Sequence, residues 1–402
     1  MKKNIKVFCS LLLALMLALT GCSLGSDGDE ATEYLNDEYS KEDESDDNGA
    51  GSDDEIIFVE DLSEPEVGEG SGEGSADAQS QAGTDDGDSL KIVVFGDSQM
   101  ATGRDDGTDF PSYLGQRIPN AVVYNLAIGG TTATLEATTN DASPENLTST
   151  SFYGMAYCLS GRANRDATLA PYPGVLNTMN QIDPAEVDYY VIEYGANDFI
   201  NGVPLDVDIY AEGIEKAHAF YNALSIGIDE LKSISPNATF ILMTPFYGIY
   251  VNSDNSYVGD SYVVSNGIGT LADYARKSVN VAEDNEIYSF DGMFKSVCDL
   301  YLDTAGEYLM DNLHLNVTGR QIFARLVAHI INFEEKNEPF AYLDTDFVRI
   351  SEFNPDEYYR YDEGMMREYY PESWEKYIRG EFPLAQPSEE ALQEYGSDIT
   401  EG

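Results

Sequence analysis

The chain has 402 residues, of which 73 are acidic and 22 are basic, so its formal net charge at pH 7 is −51. This length fits one large domain, or two smaller ones, with additional segments. The negative charge argues against nucleic acid as a partner, because phosphate groups require a basic surface. It also argues against polyanionic substrates, unless a basic pocket lies inside the fold.

Residues 1–21 are predicted to be an export signal. Three lysines precede an apolar run over residues 7–19, which is too short for a comfortable transmembrane helix. Thr20, Gly21 and Cys22 follow this run. The arrangement resembles the lipobox of bacterial lipoproteins, in which the cysteine carries the lipid. The alternative is a plain secretory signal with a chance cysteine. We expect lipidation at Cys22, and hence an extracytoplasmic protein anchored to the bacterial cell membrane.

Residues 22–89 are predicted to comprise the lipidated cysteine and a disordered acidic linker. Residues 23–89 contain 24 acidic side chains and one basic one, Lys41, which gives this segment a net charge of −23. Such a segment cannot bury enough apolar surface to offset its ordering entropy, and its like charges extend it. We interpret it as a tether that holds a domain away from the membrane. The short apolar run at 56–59 is a less favoured candidate for a docking strand.

From residue 90 onward, apolar runs alternate with helical patterns. Strands are predicted at 91–95, 121–126, 188–194, 239–244 and, more weakly, 286–290, and helices near 111–117, 207–234, 268–282 and 318–333. The alternation and the continuous apolar strands are typical of a three-layer α/β/α sandwich with a mainly parallel sheet. The predicted domain covers residues 90–338, with irregular loops at 136–180 and 245–266.

The last segment, residues 339–402, is predicted to be an acidic, tyrosine-rich extension. It has eight tyrosines and one tryptophan, so we expect at least part of it to pack on the domain. Within the domain, Cys158 and Cys298 could form a disulfide in an exported protein, or could be small buried hydrophobic residues. Free thiols are slightly favoured.

Polar motifs stand at the ends of several predicted elements, and a parallel sheet gathers the ends of its strands at one edge. The motifs are Gly96-Asp97-Ser98, the run 125–130 ending in Gly129-Gly130, Gly195-Ala196-Asn197-Asp198 and Asp311-Asn312-Leu313-His314. Each alone is more often an ordinary turn. Together they supply a serine, a permissive glycine, a side-chain amide, a histidine and a carboxylate, which are the groups needed for acyl transfer through a serine.

In this order, the four motifs resemble those of the SGNH hydrolase superfamily, also called GDSL-type esterases and lipases, over about residues 90–335. The resemblance implies that Ser98 is the nucleophile and His314 the general base, with Asp311 orienting the histidine. It also implies an oxyanion hole made by the backbone N–H groups of Ser98 and Gly130 and the side-chain amide of Asn197.

Two positions depart from the family pattern. Gln99 stands where a leucine is frequent, at a variable position, and Ala127 stands where a glycine is common, which leaves the choice between Gly129 and Gly130 open. No cofactor and no metal are expected. The acidic run at 105–109 lacks the spacing of a calcium-binding loop and is interpreted as a solvated turn.

The resulting hypothesis is a membrane-anchored serine ester hydrolase that acts on a small-molecule or glycan ester. An O-deacetylase of carbohydrate esters is favoured, because the protein is expected outside the cell, the family often acts on such esters, and tyrosine-rich loops could stack on sugar rings. A lipase or lysophospholipase is the alternative enzyme. A non-catalytic surface binding lipoprotein is the third hypothesis, disfavoured because the motif residues are intact.

Overall fold

A computed structural model describes residues 89–337, 339, 347–356 and 363–395. The predicted export signal, the linker up to residue 88 and the apolar run at 56–59 lie outside the described residues. In the described part of the chain, no helix is both long enough and apolar enough to cross a membrane.

The strands are β1 Leu90–Gly96, β2 Ala121–Asn125, β3 Tyr189–Glu193, β4 Thr239–Met243, β5 Ile249–Val251, β6 Tyr257–Asp260 and β7 Tyr288–Phe290. The central sheet has five parallel strands in the order β2-β1-β3-β4-β7, and β5 and β6 form a separate antiparallel hairpin. All five predicted strands are confirmed, and so is the α/β class with its parallel sheet.

Helices cover both faces of this sheet. They are α1 Ser98–Ala101, α2 Phe110–Gln116, α3 Phe152–Leu159, α4 Arg165–Thr168, α5 Pro173–Met179, α6 Ala196–Ile200, α7 Gly213–Ala217, α8 Phe220–Ile234, α9 Leu271–Asp284, α10 Ala305–Tyr308, α11 Val317–Glu334, α12 Glu363–Tyr369, α13 Pro371–Ile378 and α14 Glu389–Tyr395. The helices predicted near 111–117, 268–282 and 318–333 are confirmed as α2, α9 and α11.

The single helix predicted over 207–234 is wrong. The chain leaves the helical conformation between α7 and α8, where Ala219 is extended with φ −119° and ψ 132°. The backbone N–H groups of Phe220 and Tyr221 donate to the carbonyls of Pro204 and Leu205, at 2.9 Å each. These bonds to a separate loop take the place of the backbone bonds that a continuous helix would make. No local sequence pattern predicts them.

The apolar core lies on both faces of the sheet. On one face, the ring of Phe95 in β1 makes an edge contact with Phe152 of α3, with ring centroids 5.6 Å apart. On the other face, Phe290 of β7 contacts Phe323 of α11 at 6.1 Å. Helices α3, α8 and α9 therefore cover the first face, while α2 and α11 cover the second, and the sheet is buried between them.

The segment 136–180 was predicted to be an irregular loop, and this is wrong, because it contains α3, α4 and α5. Every residue of α3 is buried, so the helix has no polar face and no amphipathic period. Gly227 of α8 lets this helix pack closely, since a side chain there would come within 2.5 Å of the Phe152 ring. The predicted loop 245–266 likewise contains the β5–β6 hairpin.

Part of the C-terminal extension packs on the domain, as expected. Val348 is fully buried, and its N–H donates to the carbonyl of Val297 at 2.9 Å. Residues 363–395 bury a second apolar cluster of their own, which includes Trp374 and Tyr377. Cys158 and Cys298 are buried free thiols, which confirms the favoured interpretation.

Candidate active site

The register of the sheet brings three of the predicted motifs to one edge. Gly96, the last residue of β1, pairs with Glu193 of β3, and Val94 pairs with Asn125 of β2. Gly96 has no room for a side chain, because a Cβ there would lie 2.4 Å from the Cγ of Met100. The chain therefore turns directly from the strand into α1, and Ser98 is the first residue of that helix.

Ser98, His314 and Asp311 form one hydrogen-bonded chain. The Oγ of Ser98 lies 2.8 Å from Nε2 of His314, and Nδ1 of the same ring lies 2.8 Å from Oδ2 of Asp311. The histidine side chain is 19% exposed and the aspartate side chain 42% exposed, so solvent reaches this end of the chain. A nucleophile, a base and an orienting carboxylate at these distances meet the geometric requirement for serine catalysis.

The turn around Asp311 holds the histidine by several bonds. Oδ1 of Asp311 accepts from the N–H groups of Leu313 and His314, at 2.7 and 2.6 Å. Burial lowers the pKa of His314, but the hydrogen bond and the charge of Asp311 outweigh it and leave the pKa above its usual 6.5. Burial raises the pKa of Asp311, yet its hydrogen bonds to His314 and Leu313 keep the pKa below the usual range.

The glycine motif forms a tightly bonded loop next to Ser98. Gly130 has a φ of +75°, a left-handed conformation that favours glycine, whereas Gly129 lies against Ser98. Asn125 fixes the start of the loop, because its Oδ1 accepts from Ala127 N–H at 3.0 Å and also from the guanidinium of Arg104 at 2.9 Å. The loop is therefore held in place from its first residue.

Asn197 lies between this loop and the serine turn. Its Nδ2 donates to Oδ2 of Asp97 at 3.0 Å and to the carbonyl of Thr131 at 3.0 Å. Oδ1 of Asp97 accepts from Gln99 N–H at 2.9 Å, which caps α1. One buried carboxylate thus connects the Asn197 amide to the turn that carries Ser98.

Three carboxyl groups lie fully buried behind this edge of the sheet: Asp97, Glu193 and Asp198. Burial raises the pKa of Asp97 to about 6 and that of Asp198 to about 7. Burial, together with the charge of Asp97, raises the pKa of Glu193 well above its usual value. Neither oxygen of Glu193 has a hydrogen-bond partner among the described residues. Glu193 therefore holds its proton to a higher pH than an exposed glutamate does.

Two residues of this region were missed or underrated by the sequence analysis. Glu193 carried a visible signal, since it is an acid that closes the otherwise apolar strand β3. Gln99 was treated as a variable position, but its side chain is buried and bonds to the loop that carries His314. Asp97 and Asp198 make structural hydrogen bonds; Asp198 accepts from the N–H groups of Ala133 and Thr134.

The acidic run at 105–109 and the histidine His218 have structural roles. In the acidic run at 105–109, Asp106 accepts from the N–H and hydroxyl of Thr108, so the run is a local turn. Nε2 of His218 contacts the carbonyl of Thr139 at 2.8 Å, which is a structural role. Across the described ranges, no cluster of three or more His, Cys, Asp or Glu side chains suits a metal ion.

The tyrosines of 245–266 mostly do not form a sugar-binding surface. Tyr247 and Tyr250 are buried in the core, and the hydroxyl of Tyr262 donates to the carbonyl of Met293. Tyr257 on β6 is the exception, with 52% of its surface exposed. The aromatic composition of this segment thus serves packing more than recognition.

The family model of the GDSL-like Lipase/Acylhydrolase matches residues 92–327, more than half of the chain. The chain belongs to this family, within the SGNH/GDSL superfamily, and is a serine ester hydrolase. This result disfavours the hypothesis of a non-catalytic binding protein. A search of curated proteins found no match.

Solved structures that are similar to this chain include a possible lipase and a carbohydrate esterase. A possible lipase from Chitinophaga pinensis is 17% identical, with a TM-score of 0.41 over 61% of this chain and 99% of that one. A family two carbohydrate esterase from Clostridium thermocellum, solved in complex with cellohexaose, is 15% identical, with a TM-score of 0.36 over 61% of this chain and 65% of that one.

The raised pKa of Glu193 predicts how stability depends on pH. The folded protein holds this proton to a higher pH than the unfolded chain does, so the wild type loses stability as the pH rises above about 4.5. Glu193→Gln has no proton to lose. Its free energy of unfolding relative to wild type should therefore rise between pH 5 and pH 7, by up to about 1.4 kcal/mol per pH unit.

Urea unfolding of both proteins at several pH values measures this difference. Glu145→Gln, which removes a carboxyl group at an exposed position, is the matched control for the substitution itself. A constant difference for Glu193→Gln would show that Glu193 ionises in the folded protein much as it does in the unfolded chain.

Proposed function

We propose that this ester hydrolase acts through Ser98, His314 and Asp311. The observation that supports the proposal is the unbroken chain of hydrogen bonds from Ser98 Oγ through the imidazole to Asp311. His314 Nε2 takes the hydroxyl proton as Ser98 Oγ attacks the ester carbonyl, and it then gives that proton to the departing alcohol. A water molecule, activated by the same nitrogen, attacks the acyl-serine and releases the acid.

The tetrahedral intermediates need donors for their negatively charged oxygen. The first N–H groups of a helix have no partner within it, so Ser98 N–H at the start of α1 is one candidate donor. The Gly130 N–H and the Asn197 amide are the others. One N–H of the Asn197 amide now bonds to the Thr131 carbonyl, and this N–H would turn to the oxyanion instead. One such donor typically stabilises the transition state by about 3 kcal/mol.

Carbohydrate O-acetyl esters are the proposed substrates. The β5–β6 hairpin borders the catalytic loop, because Ile249 N–H donates to the Asn312 carbonyl at 2.8 Å. Tyr257 on this hairpin presents an exposed ring on which a sugar could stack. A preference for longer acyl chains is the second candidate, and it is favoured by exposed apolar side chains nearby, with Met310 57% exposed and Val263 65% exposed.

Labelling with a fluorophosphonate probe tests the nucleophile. The purified wild type should react, because the probe phosphonylates an activated serine, and Ser98→Ala should not. Ser296→Ala, which removes an exposed serine, is the control and should label like wild type. Equal labelling of wild type and Ser98→Ala, or no labelling of either, contradicts the proposal.

The same preparations then compare substrates. Acetylated sugars should give a higher kcat/KM than esters of longer acyl chains. The reverse order would favour the lipase-type alternative.

Replacing Asp311 by asparagine tests its orienting role. Turnover should fall by about 100- to 10,000-fold, because the amide no longer holds or stabilises the charged imidazole.

Neutral His314 is the active base, so wild-type activity should decline as the pH falls through its raised pKa. In Asp311→Asn this acidic limb should move to lower pH, as the stabilising charge is lost.

The measurement is a pH profile of kcat/KM, with circular dichroism to show that the variant folds. Asp254→Asn, in an exposed turn, is the control and should match wild type. Unchanged turnover in Asp311→Asn would exclude the orienting role.

We also propose that the enzyme is anchored outside the cell through a lipid on Cys22. The support is the basic, apolar and small-residue pattern of residues 1–22. Cys22→Ser should move the full-length protein from the membrane fraction to the soluble or secreted fraction, because the covalent acyl chains are lost. Retention of this variant in the membrane fraction would contradict lipid anchoring.

A further inference from the structure

Gln99 connects the turn that carries Ser98 to the loop that carries His314. Its side chain is 3% exposed. Nε2 donates to the carbonyl of Leu313 at 2.9 Å, and Oε1 accepts from the N–H of Leu315 at 3.1 Å. The two backbone groups flank His314 on either side. A single carboxamide therefore holds the main chain both before and after the histidine.

Apart from the Ser98–His314 bond itself and the bond from Ile249 N–H to the Asn312 carbonyl, the other hydrogen bonds around His314 are local to its own loop. Asp311 accepts from the imidazole and from two N–H groups of the same turn, and Met310 N–H donates to the His314 carbonyl at 2.9 Å. These bonds set the ring relative to the loop, but they do not set the loop relative to Ser98. Arg320 of α11 also contacts this region. It donates to the carbonyl of Thr102, which follows the last residue of α1, and not to the turn that carries Ser98.

A carboxamide suits this place for a chemical reason. It offers one donor and one acceptor on the same planar group, which matches a carbonyl and an N–H two residues apart. A hydrophobic side chain would satisfy neither partner, and an ionised carboxylate would satisfy only the N–H of Leu315. Leu315 is buried, so its N–H has no access to solvent as a substitute.

We propose that Gln99 is a positioning residue, whose carboxamide clamps the backbone on both sides of His314 and holds the imidazole against Ser98. The proposal rests on the proposed function, in which Ser98 is the nucleophile and His314 its base. Gln99 touches no reacting atom, so its effect comes through the placement of His314.

Gln99→Met tests the clamp, because it keeps the length of the side chain and removes both hydrogen bonds. An error of about 1 Å in the position of a catalytic group can cost about 100-fold in rate, so we expect kcat to fall about 10- to 100-fold. KM should change by less than about threefold, since substrate contacts are kept. The rate of fluorophosphonate labelling should fall in parallel with kcat.

Tyr190→Phe is the matched control. It also removes a buried side-chain hydrogen bond, from the tyrosine hydroxyl to Oγ of Ser235 at 2.7 Å, but it does not touch the catalytic loops. A general loss of stability would lower the melting temperature of both variants, whereas only Gln99→Met should lose kcat. Gln99→Leu is the second variant, used if Gln99→Met does not fold; it also removes both hydrogen bonds, and its kcat should also fall, about tenfold.

The outcomes separate the two proposals. If wild type labels, Ser98→Ala does not, and a folded Gln99 variant keeps kcat and labelling within about twofold of wild type, the clamp is overturned while the proposed function stands. If wild type and Ser98→Ala label equally or not at all, both proposals are overturned. A selective fall in kcat for the Gln99 variant supports the clamp.

Discussion

The parallel pairing of β1 with β3 is the constraint on which the rest of the site depends. It places Gly96 beside Glu193, and so it brings Asp97 and Asn197, 100 positions apart in the chain, to hydrogen-bonding distance. A shift of one residue in this register would turn every side chain of the strand to the opposite face. The burial of both faces of the sheet prevents such a shift, so the packing of the core fixes the geometry of the edge that carries Ser98.

The polar groups at that edge are arranged before any substrate binds. Asp97 holds the Asn197 amide and the start of α1, Asp198 holds the loop after Gly130, and Asp311 holds the turn around His314. Fixed dipoles of this kind need little reorganisation when charge develops in the transition state. Their cost is electrostatic, because carboxyl groups are buried close together, and this burial raises the pKa values of Asp97, Glu193 and Asp198.

The sequence was most informative where function and local structure coincide. The strand β1 is a continuous apolar run that ends in Gly-Asp-Ser, and the motifs at Asn197 and His314 follow other elements in the order of a known family. The chain order of these motifs, together with a parallel sheet, predicts that Ser98 and His314 meet. Their bond at 2.8 Å is thus a consequence of topology that a single sequence can indicate.

Features set by distant contacts could not be predicted in this way. Helix α3 is buried on every side and shows no period, and the break before α8 depends on bonds to the 204–205 loop. Composition also does not predict which tyrosines are exposed, since Tyr247 and Tyr250 pack inside while Tyr257 faces solvent. Gln99 was underrated for a similar reason: its partners lie more than 200 positions away.

The contact between the hairpin and the catalytic loop has an evolutionary consequence. Ile249 on β5 bonds to Asn312, which lies between the acid and the histidine of the proposed triad. Gly248 is also packed against Leu313 so closely that a side chain there would reach it at 3.0 Å. The hairpin is therefore not an exchangeable module. Insertions or substitutions that adapt it to a new ester would also displace His314. Mutations that change the substrate specificity are therefore expected to change the rate as well.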